Sequence, residues 1–278
     1  MEALLSADPW FLAGMVAALL VTGVVGGLLA GLLGVGGGIV IVPMLYHLFT
    51  LLGVDGDVRM HVAVGTSLAT IIATSASSIR AHHRKGAVDV ELLKRWGPAI
   101  FAGVILGTLV GGQADGEVLT AVFAVVALLV AANMAFRKEG WTVRDSLPSK
   151  PAQAGIGVVI GTISVMMGIG GGTLSVPILS AFAYPIRRAV GTAAAIGFII
   201  GIPGTIGFLL SGLGQDDLPP GSVGYVNLIG LALILPCSVL AAPWGARIAH
   251  AIDPRKLRAA FAVFLFLTSA RMIYGLLT

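Results

Sequence analysis

The 278-residue chain is far more apolar than a water-soluble domain of its size: 57% of its residues are hydrophobic, 11% are charged, and the mean hydropathy is +0.99. This composition excludes a soluble enzyme, because soluble domains carry about 25% charged residues. The 39 glycines and 13 prolines follow no Gly-X-Y period, which excludes collagen. The net charge of +4 comes from short loops rather than from one basic face, so we predict a protein of the lipid bilayer and not a nucleic-acid-binding one.

Apolar stretches recur along the whole chain and predict helices. Three of them, 39–52, 153–167 and 172–183, are too short to cross a bilayer core alone, since a crossing helix needs about 20 residues. We expect these to form re-entrant or broken-helix hairpins. No basic residue precedes Arg59, so the first stretch is expected to stay in the protein rather than be cleaved as a signal peptide. The ten stretches cover residues 10–33, 39–52, 62–79, 96–113, 118–136, 153–167, 172–183, 189–213, 224–246 and 257–277.

The basic residues predict an orientation in the membrane. The turns around Asp115 and Asp216 hold acids without bases. Basic residues in short loops favour the cytoplasmic side, so both termini are predicted to lie outside a bacterial inner membrane crossed many times. The two short stretches of the second half lie between basic loops, so they enter from the cytoplasm and return to it, opposite to the first half. Apart from Arg59 and Arg271, the Lys and Arg residues lie in 80–95, 137–150, 187–188 and 247–258.

An internal sequence repeat agrees with two halves of opposite orientation in the membrane. The segment Gly34-Val-Gly-Gly-Gly-Ile-Val-Ile-Val-Pro-Met-Leu45 matches Gly168-Ile-Gly-Gly-Gly-Thr-Leu-Ser-Val-Pro-Ile-Leu179 at seven of twelve positions, and Ala63-Val-Gly-Thr66 recurs as Ala189-Val-Gly-Thr192. We therefore expect an all-α integral membrane protein with two inverted-topology repeats, each a hairpin followed by three transmembrane helices. The expected units are a first repeat over 1–140 with its hairpin at 10–52, a cytoplasmic linker over 141–152, and a second repeat over 153–278 with its hairpin at 153–183.

The glycine runs supply the candidate substrate site. In each hairpin the second arm begins just after the glycines, so its N-terminus offers unpaired N–H groups and about half a positive charge. Two such tips would bind an anion without a buried Lys or Arg. Close helix packing is the competing explanation for the glycines, and hydrogen bonding back to the helix is the competing one for the hydroxyls. The candidate residues are Gly36, Gly37, Gly38, Pro43, Thr66, Ser67, Gly170, Gly171, Gly172, Thr173, Ser175, Pro177 and Thr192.

The doubled Gly-x-Gly-Gly-Gly element, each copy followed by Ala-Val-Gly-Thr, resembles the sulfite exporter TauE/SafE family of membrane transporters. The resemblance covers nearly the whole chain, including Lys85-Gly86-Ala-Val-Asp89. It implies a secondary transporter that exports a small sulfur-containing oxyanion, sulfite or an organosulfonate, and we expect alternating access around a midplane site.

An anion channel, or an exporter of a different small solute or metal cation, is the alternative. The spans contain no clustered acids or histidines and no HExxH motif, so no enzyme, metal site or cofactor is predicted. The sequence leaves open the identity of the anion, proton coupling, the direction of transport, assembly into a homo-oligomer, and any role of His47 or Arg271.

Overall fold

The computed structural model describes residues 9–33, 36–136, 142–248 and 254–277, and these are almost entirely helical. A short antiparallel pair of strands, β1 (Ser222–Val223) and β2 (Val226–Asn227), lies between the eighth and ninth helices. The helices within the described ranges are α1 (Pro9–Leu33), α2 (Gly38–Leu51), α3 (Gly56–His83), α4 (Val90–Gly111), α5 (Gly116–Phe136), α6 (Lys150–Met166), α7 (Gly172–Ala181), α8 (Ile186–Ser211), α9 (Leu228–Ile248) and α10 (Pro254–Leu277).

Seven of the described helices are long and apolar enough to cross a membrane: α1, α3, α4, α5, α8, α9 and α10. The apolar helices α2 and α7 have only 14 and 10 residues. The prediction of an all-α membrane protein is therefore confirmed. Two helices begin earlier than their apolar stretches, because a carboxylate caps each N-terminus: Asp55 accepts the N–H of Asp57 at 2.8 Å, and Asp89 accepts the N–H of Leu92 at 3.0 Å.

The helices pack in pairs that join the first five to the last five. Helix α1 lies along α9 and α6 lies along α4, while α3 packs against α8 and α5 against α10. Helix α4 also contacts α8, and α3 also contacts α9. The first and second halves of the chain therefore share one interlocked helical body rather than forming separate bundles.

Glycines allow two of these pairs to approach backbone to backbone. A Cβ atom at Gly103 of α4 would lie 2.2 Å from the carbonyl oxygen of Val158, and one at Gly161 of α6 would lie 2.1 Å from that of Ile100. The hydroxyl of Thr162 donates to the Gly103 carbonyl at 3.0 Å. In the α1–α9 pair, Ser238 donates in the same way to Gly23 at 2.9 Å. Small residues and interhelical hydrogen bonds of this kind hold helices together in lipid.

The loops form two ends with different charge. The basic end carries Arg84, Lys85, Arg187 and Arg188. Here the α3–α4 loop meets the α7–α8 loop. The segment between α5 and α6 joins them, since the Val143 N–H donates to the Ala181 carbonyl at 2.7 Å. These loops are separated from the other end by the length of α3, which is about 42 Å for 28 residues.

At the opposite end, the acidic end, lie Asp55, Asp57, Asp115 and Glu117. Here the α2–α3 loop meets the α4–α5 turn, since a Cβ atom at Gly116 would lie 2.5 Å from the Gly56 carbonyl oxygen. The two ends follow the division between basic and acidic loops in the sequence.

A buried polar pair at the start of α4 gives a test of the packing. The Trp96 indole N–H donates to Gln153 at 3.0 Å, and the Gln153 amide donates to the Pro148 carbonyl at 2.7 Å. Gln153→Leu leaves the fully buried indole N–H unsatisfied, so we expect a loss of about 1–3 kcal/mol of stability. The melting temperature Tm in detergent measures it, with the exposed Gln215→Leu as control. An unchanged Tm for Gln153→Leu would contradict this packing.

Candidate functional site

The two glycine turns, residues 36–38 and 168–172, contact each other between α3 and α8. A Cβ atom at Gly36 would lie 3.3 Å from the Cα of Gly170, and one at Gly38 would lie 2.4 Å from the carbonyl oxygen of Gly168. The Ser67 hydroxyl of α3 donates to that same Gly168 carbonyl at 2.7 Å. The turns that the sequence repeat singled out are therefore in direct contact.

The backbone of the turns requires glycine at particular positions. Gly36 and Gly37 have φ of +78° and +74°, and Gly168 has φ of +63°, all in the left-handed region. Gly171, in contrast, has a helical φ of −57°. Helices α2 and α7 begin directly after the turns, so their first N–H groups and the positive ends of their dipoles lie beside the contact between the turns.

A small cavity lies at this contact. Its volume is about 10 Å³, which is space for about one water molecule. Among the residues that the structure describes, none that lines the cavity is charged, and the polar side chains of the lining are three hydroxyls from α3. The lining residues are Ala30, Gly36, Thr74, Ser75, Ser78, Gly170, Gly171, Ala193, Ala194, Gly197 and Ala242.

Three α3 hydroxyls line the cavity, although the sequence motifs did not single them out as candidates. Thr74 donates back to the carbonyls of Thr70 and Ile71, both at 3.2 Å, so its proton is engaged. Ser75 and Ser78 line the cavity and make no side-chain hydrogen bond to another residue that the structure describes. The signal that could have found them is the polar run Thr74-Ser75-Ala76-Ser77-Ser78 inside an otherwise apolar span.

The expected donors of the Ala-Val-Gly-Thr segments accept hydrogen bonds from loop backbone. Thr66 accepts the backbone N–H of Asn227 at 2.8 Å, and Thr192 accepts that of Asp89 at 2.9 Å. A Cβ atom at the preceding Gly65 would lie 2.1 Å from the Tyr225 carbonyl oxygen. Neither threonine lines the cavity, and Ser67 is not in its lining either but donates to the Gly168 carbonyl of the second turn. These segments bind the loops that precede α9 and α4.

The remaining candidates lie in or beside the two turns. A Cβ atom at Gly37 would lie 2.7 Å from the Gly26 carbonyl oxygen, so this glycine packs against α1. Ser175 donates to the Gly171 carbonyl, whereas the buried Thr173 hydroxyl has no partner among the described residues. Pro43 and Pro177 lie inside α2 and α7, and Gly172 is the buried first residue of α7.

Two residues left open by the sequence lie outside the cavity lining: Arg271 is exposed on α10, and the His47 ring packs at 5.5 Å from that of Tyr46. Within the described parts of the chain, no group of three or more His, Cys, Asp or Glu side chains comes together.

Comparisons with known proteins point to one family. Residues 19–272 match the family described as "Sulfite exporter TauE/SafE". A protein of Haemophilus influenzae named "Probable membrane transporter protein" is 34% identical over 91% of the chain and 96% of its own length. Probable membrane transporter proteins of Methanocaldococcus jannaschii (29% identical, 86% of the chain, 88% of that protein) and Bacillus subtilis (26%, 92% and 96%) are also similar.

Proposed function

Because the chain belongs to the sulfite exporter TauE/SafE family of membrane transporters, we propose that it exports a small sulfur-containing oxyanion, sulfite or an organosulfonate, across a bacterial inner membrane. The observation that carries this proposal is the cavity at the contact between the two glycine turns, where Gly36, Gly170 and Gly171 line one space with the hydroxyls of Ser75 and Ser78. Helices α2 and α7 begin directly after these turns. Oxyanions accept hydrogen bonds from hydroxyls and from the backbone N–H groups at helix N-termini.

A cavity lining without charged side chains suits the release of an anion as well as its binding. A Lys or Arg at the centre of a bilayer costs about 2.5–3.5 kcal/mol on insertion scales, and it would hold an anion strongly. Peptide N–H groups and hydroxyls attract the anion through partial charges only. A transporter needs this balance, because the same site must take up the solute on one side and lose it on the other.

The proposed mechanism is alternating access between two inverted repeats. The packing of the helices supports it. If each of the first five helices is exchanged with the helix five places later, the α1–α9 pair becomes the α6–α4 pair. The same exchange leaves the α3–α8 and α5–α10 pairs unchanged. Such exchange is what a twofold axis between repeats produces. A cavity of about 10 Å³ is smaller than a sulfur oxyanion, so the walls formed by α3 and α8 must separate to admit one.

Flux through purified protein in proteoliposomes tests the proposal. We expect saturable uptake of radiolabelled sulfite or an organosulfonate such as sulfoacetate, with taurine, sulfate and rubidium as comparison solutes and empty liposomes as the blank. An anion leaving an inside-negative compartment gains about 2.3 kcal/mol per charge per 100 mV, so an imposed potential alone should drive the flux of a uniporter. A required pH gradient would identify proton coupling, and rubidium flux without anion flux would refute the proposal.

A further inference from the structure

The carboxylate of Asp89 connects two parts of the chain at the basic end. Asp89 lies in the α3–α4 loop, directly before α4. The Tyr184 hydroxyl in the α7–α8 loop donates to its Oδ2 atom, and the Arg188 Nη1 atom in the first turn of α8 lies 3.8 Å from the same oxygen. Its other oxygen, Oδ1, caps α4 through the Leu92 N–H.

The backbone of the same loop packs on α8 beside residues that line the cavity. The Asp89 N–H donates to the Thr192 hydroxyl, and a Cβ atom at Gly191 would lie 2.5 Å from the Ala87 carbonyl oxygen. Thr192 immediately precedes Ala193 and Ala194, which line the cavity. The α3–α4 loop is therefore fixed to α8 next to residues that line the cavity.

The basic end is also the nearer exit from the cavity. The cavity-lining part of α3 ends at Ser78, and the helix itself ends at His83, about 8 Å further on. Toward the acidic end, α3 continues from Thr74 back to Gly56, about 27 Å away. The stretch of α3 between the cavity and the basic end is thus the shorter of the two.

The protonation states make this connection strong at neutral pH. Burial raises the pKa of the half-buried Asp89, but the hydrogen bonds from Tyr184 and Leu92 and the nearby Arg188 outweigh it and bring the pKa below its usual value. Burial and the adjacent carboxylate raise the pKa of the Tyr184 phenol well above its usual range. A protonated phenol therefore donates to an ionised carboxylate, which is a charge-assisted hydrogen bond.

The corresponding loop at the acidic end lacks such a connection. Gly224-Tyr-Val-Asn227 matches Gly86-Ala-Val-Asp89: both glycines have positive φ, and the Asn227 side chain caps α9 by accepting the Gly230 N–H at 2.8 Å. The Asn227 amide, however, donates to Pro220 and Ser222 within its own loop. In these two loops, a charged side-chain contact to the other half exists only at the basic end.

We propose that Asp89, Tyr184 and Arg188 form a latch that keeps the basic end of the cavity shut, with Asp89 as the residue that positions the α3–α4 loop on α8. The inference rests on the proposed alternating-access function. Opening the basic end breaks the carboxylate contacts together with the bond to Thr192, so loss of the latch makes the cavity reachable from that end alone.

Cysteine labelling tests the latch without any substrate. The reporter is Ala194→Cys in a Cys237→Ala background, and an impermeant methanethiosulfonate is added to vesicles of each orientation. Asp89→Asn, which keeps a good helix cap, and Tyr184→Phe should each speed labelling from the basic end by about five- to thirtyfold. Labelling from the acidic end should not change.

The matched control is Glu91→Gln, which removes an exposed carboxylate two residues away. Among the described residues, the ion-pair partner of this carboxylate is the exposed Lys94 at 3.6 Å. This variant should leave the labelling rate unchanged. Equal rates in the parent, Asp89→Asn and Tyr184→Phe proteins would overturn the latch, and so would equal acceleration by Glu91→Gln. If the parent protein shows no oxyanion flux, the proposed function is refuted, whatever the labelling rates are.

Discussion

Replacing Ser75 and Ser78 together by alanine should lower oxyanion flux by at least about a hundredfold, because a hydrogen bond to a charged partner is worth about 1.5–3 kcal/mol. Both hydroxyls line the cavity beside the glycine turns. The measurement is the initial rate of flux in proteoliposomes, compared at equal amounts of inserted protein.

The control for this double variant is Ser77→Ala, which makes the same change on the same helix at a position that does not line the cavity. Its flux should equal that of the parent protein. Parent-like flux in the double variant, or an equal loss of flux in Ser77→Ala, would show that the Ser75 and Ser78 hydroxyls do not bind the anion.

Gly161→Leu should prevent the protein from folding. A Cβ atom at this position would lie 2.1 Å from the Ile100 carbonyl oxygen and 2.9 Å from the Val104 nitrogen, so the backbones of α4 and α6 would have to separate. Overpacking a core with side chains costs about 1–3 kcal/mol, and displacing a backbone costs more, so we expect at least about 3 kcal/mol here. The measurement is the yield of monodisperse protein in detergent.

Gly155→Leu on the same helix is the matched control, since a Cβ atom there meets no atom within 4 Å. That variant should be obtained in parent-like yield, and it gains helix propensity. Normal yield of Gly161→Leu would show that α4 and α6 do not pack this closely.

Much of the fold could be predicted because the bilayer imposes simple rules on the sequence. Apolar stretches separated by charged loops identified the helices and the membrane class, and the repeated glycine motif identified the family, which the comparisons confirm. Helix ends were harder to predict. Helix α4 begins at Val90 rather than near residue 96, because the cap at Asp89 extends it into polar residues that hydropathy does not count as helix.

The site could be predicted only in part. The repeat pointed to Gly36, Gly170 and Gly171, which line the cavity, since duplication marks positions that both halves use. The same argument predicted Thr66 and Thr192 as donors to the substrate; in the structure both hydroxyls accept a hydrogen bond from a loop N–H, and neither lines the cavity. The serines of α3 have no counterpart hydroxyls in the second half, so a repeated motif does not mark them. The cavity wall that faces them is formed by Ala193, Ala194 and Gly197 of α8.

The most direct test of the central claim is to locate a bound anion. Selenite has the charge and shape of sulfite and scatters X-rays anomalously, so the protein crystallised with selenite should show a peak beside Gly36, Gly170 and the Ser75 hydroxyl. The Ser75→Ala, Ser78→Ala protein should lose that peak. Selenite bound only to the arginines of the basic end, in a protein that transports it, would contradict the account.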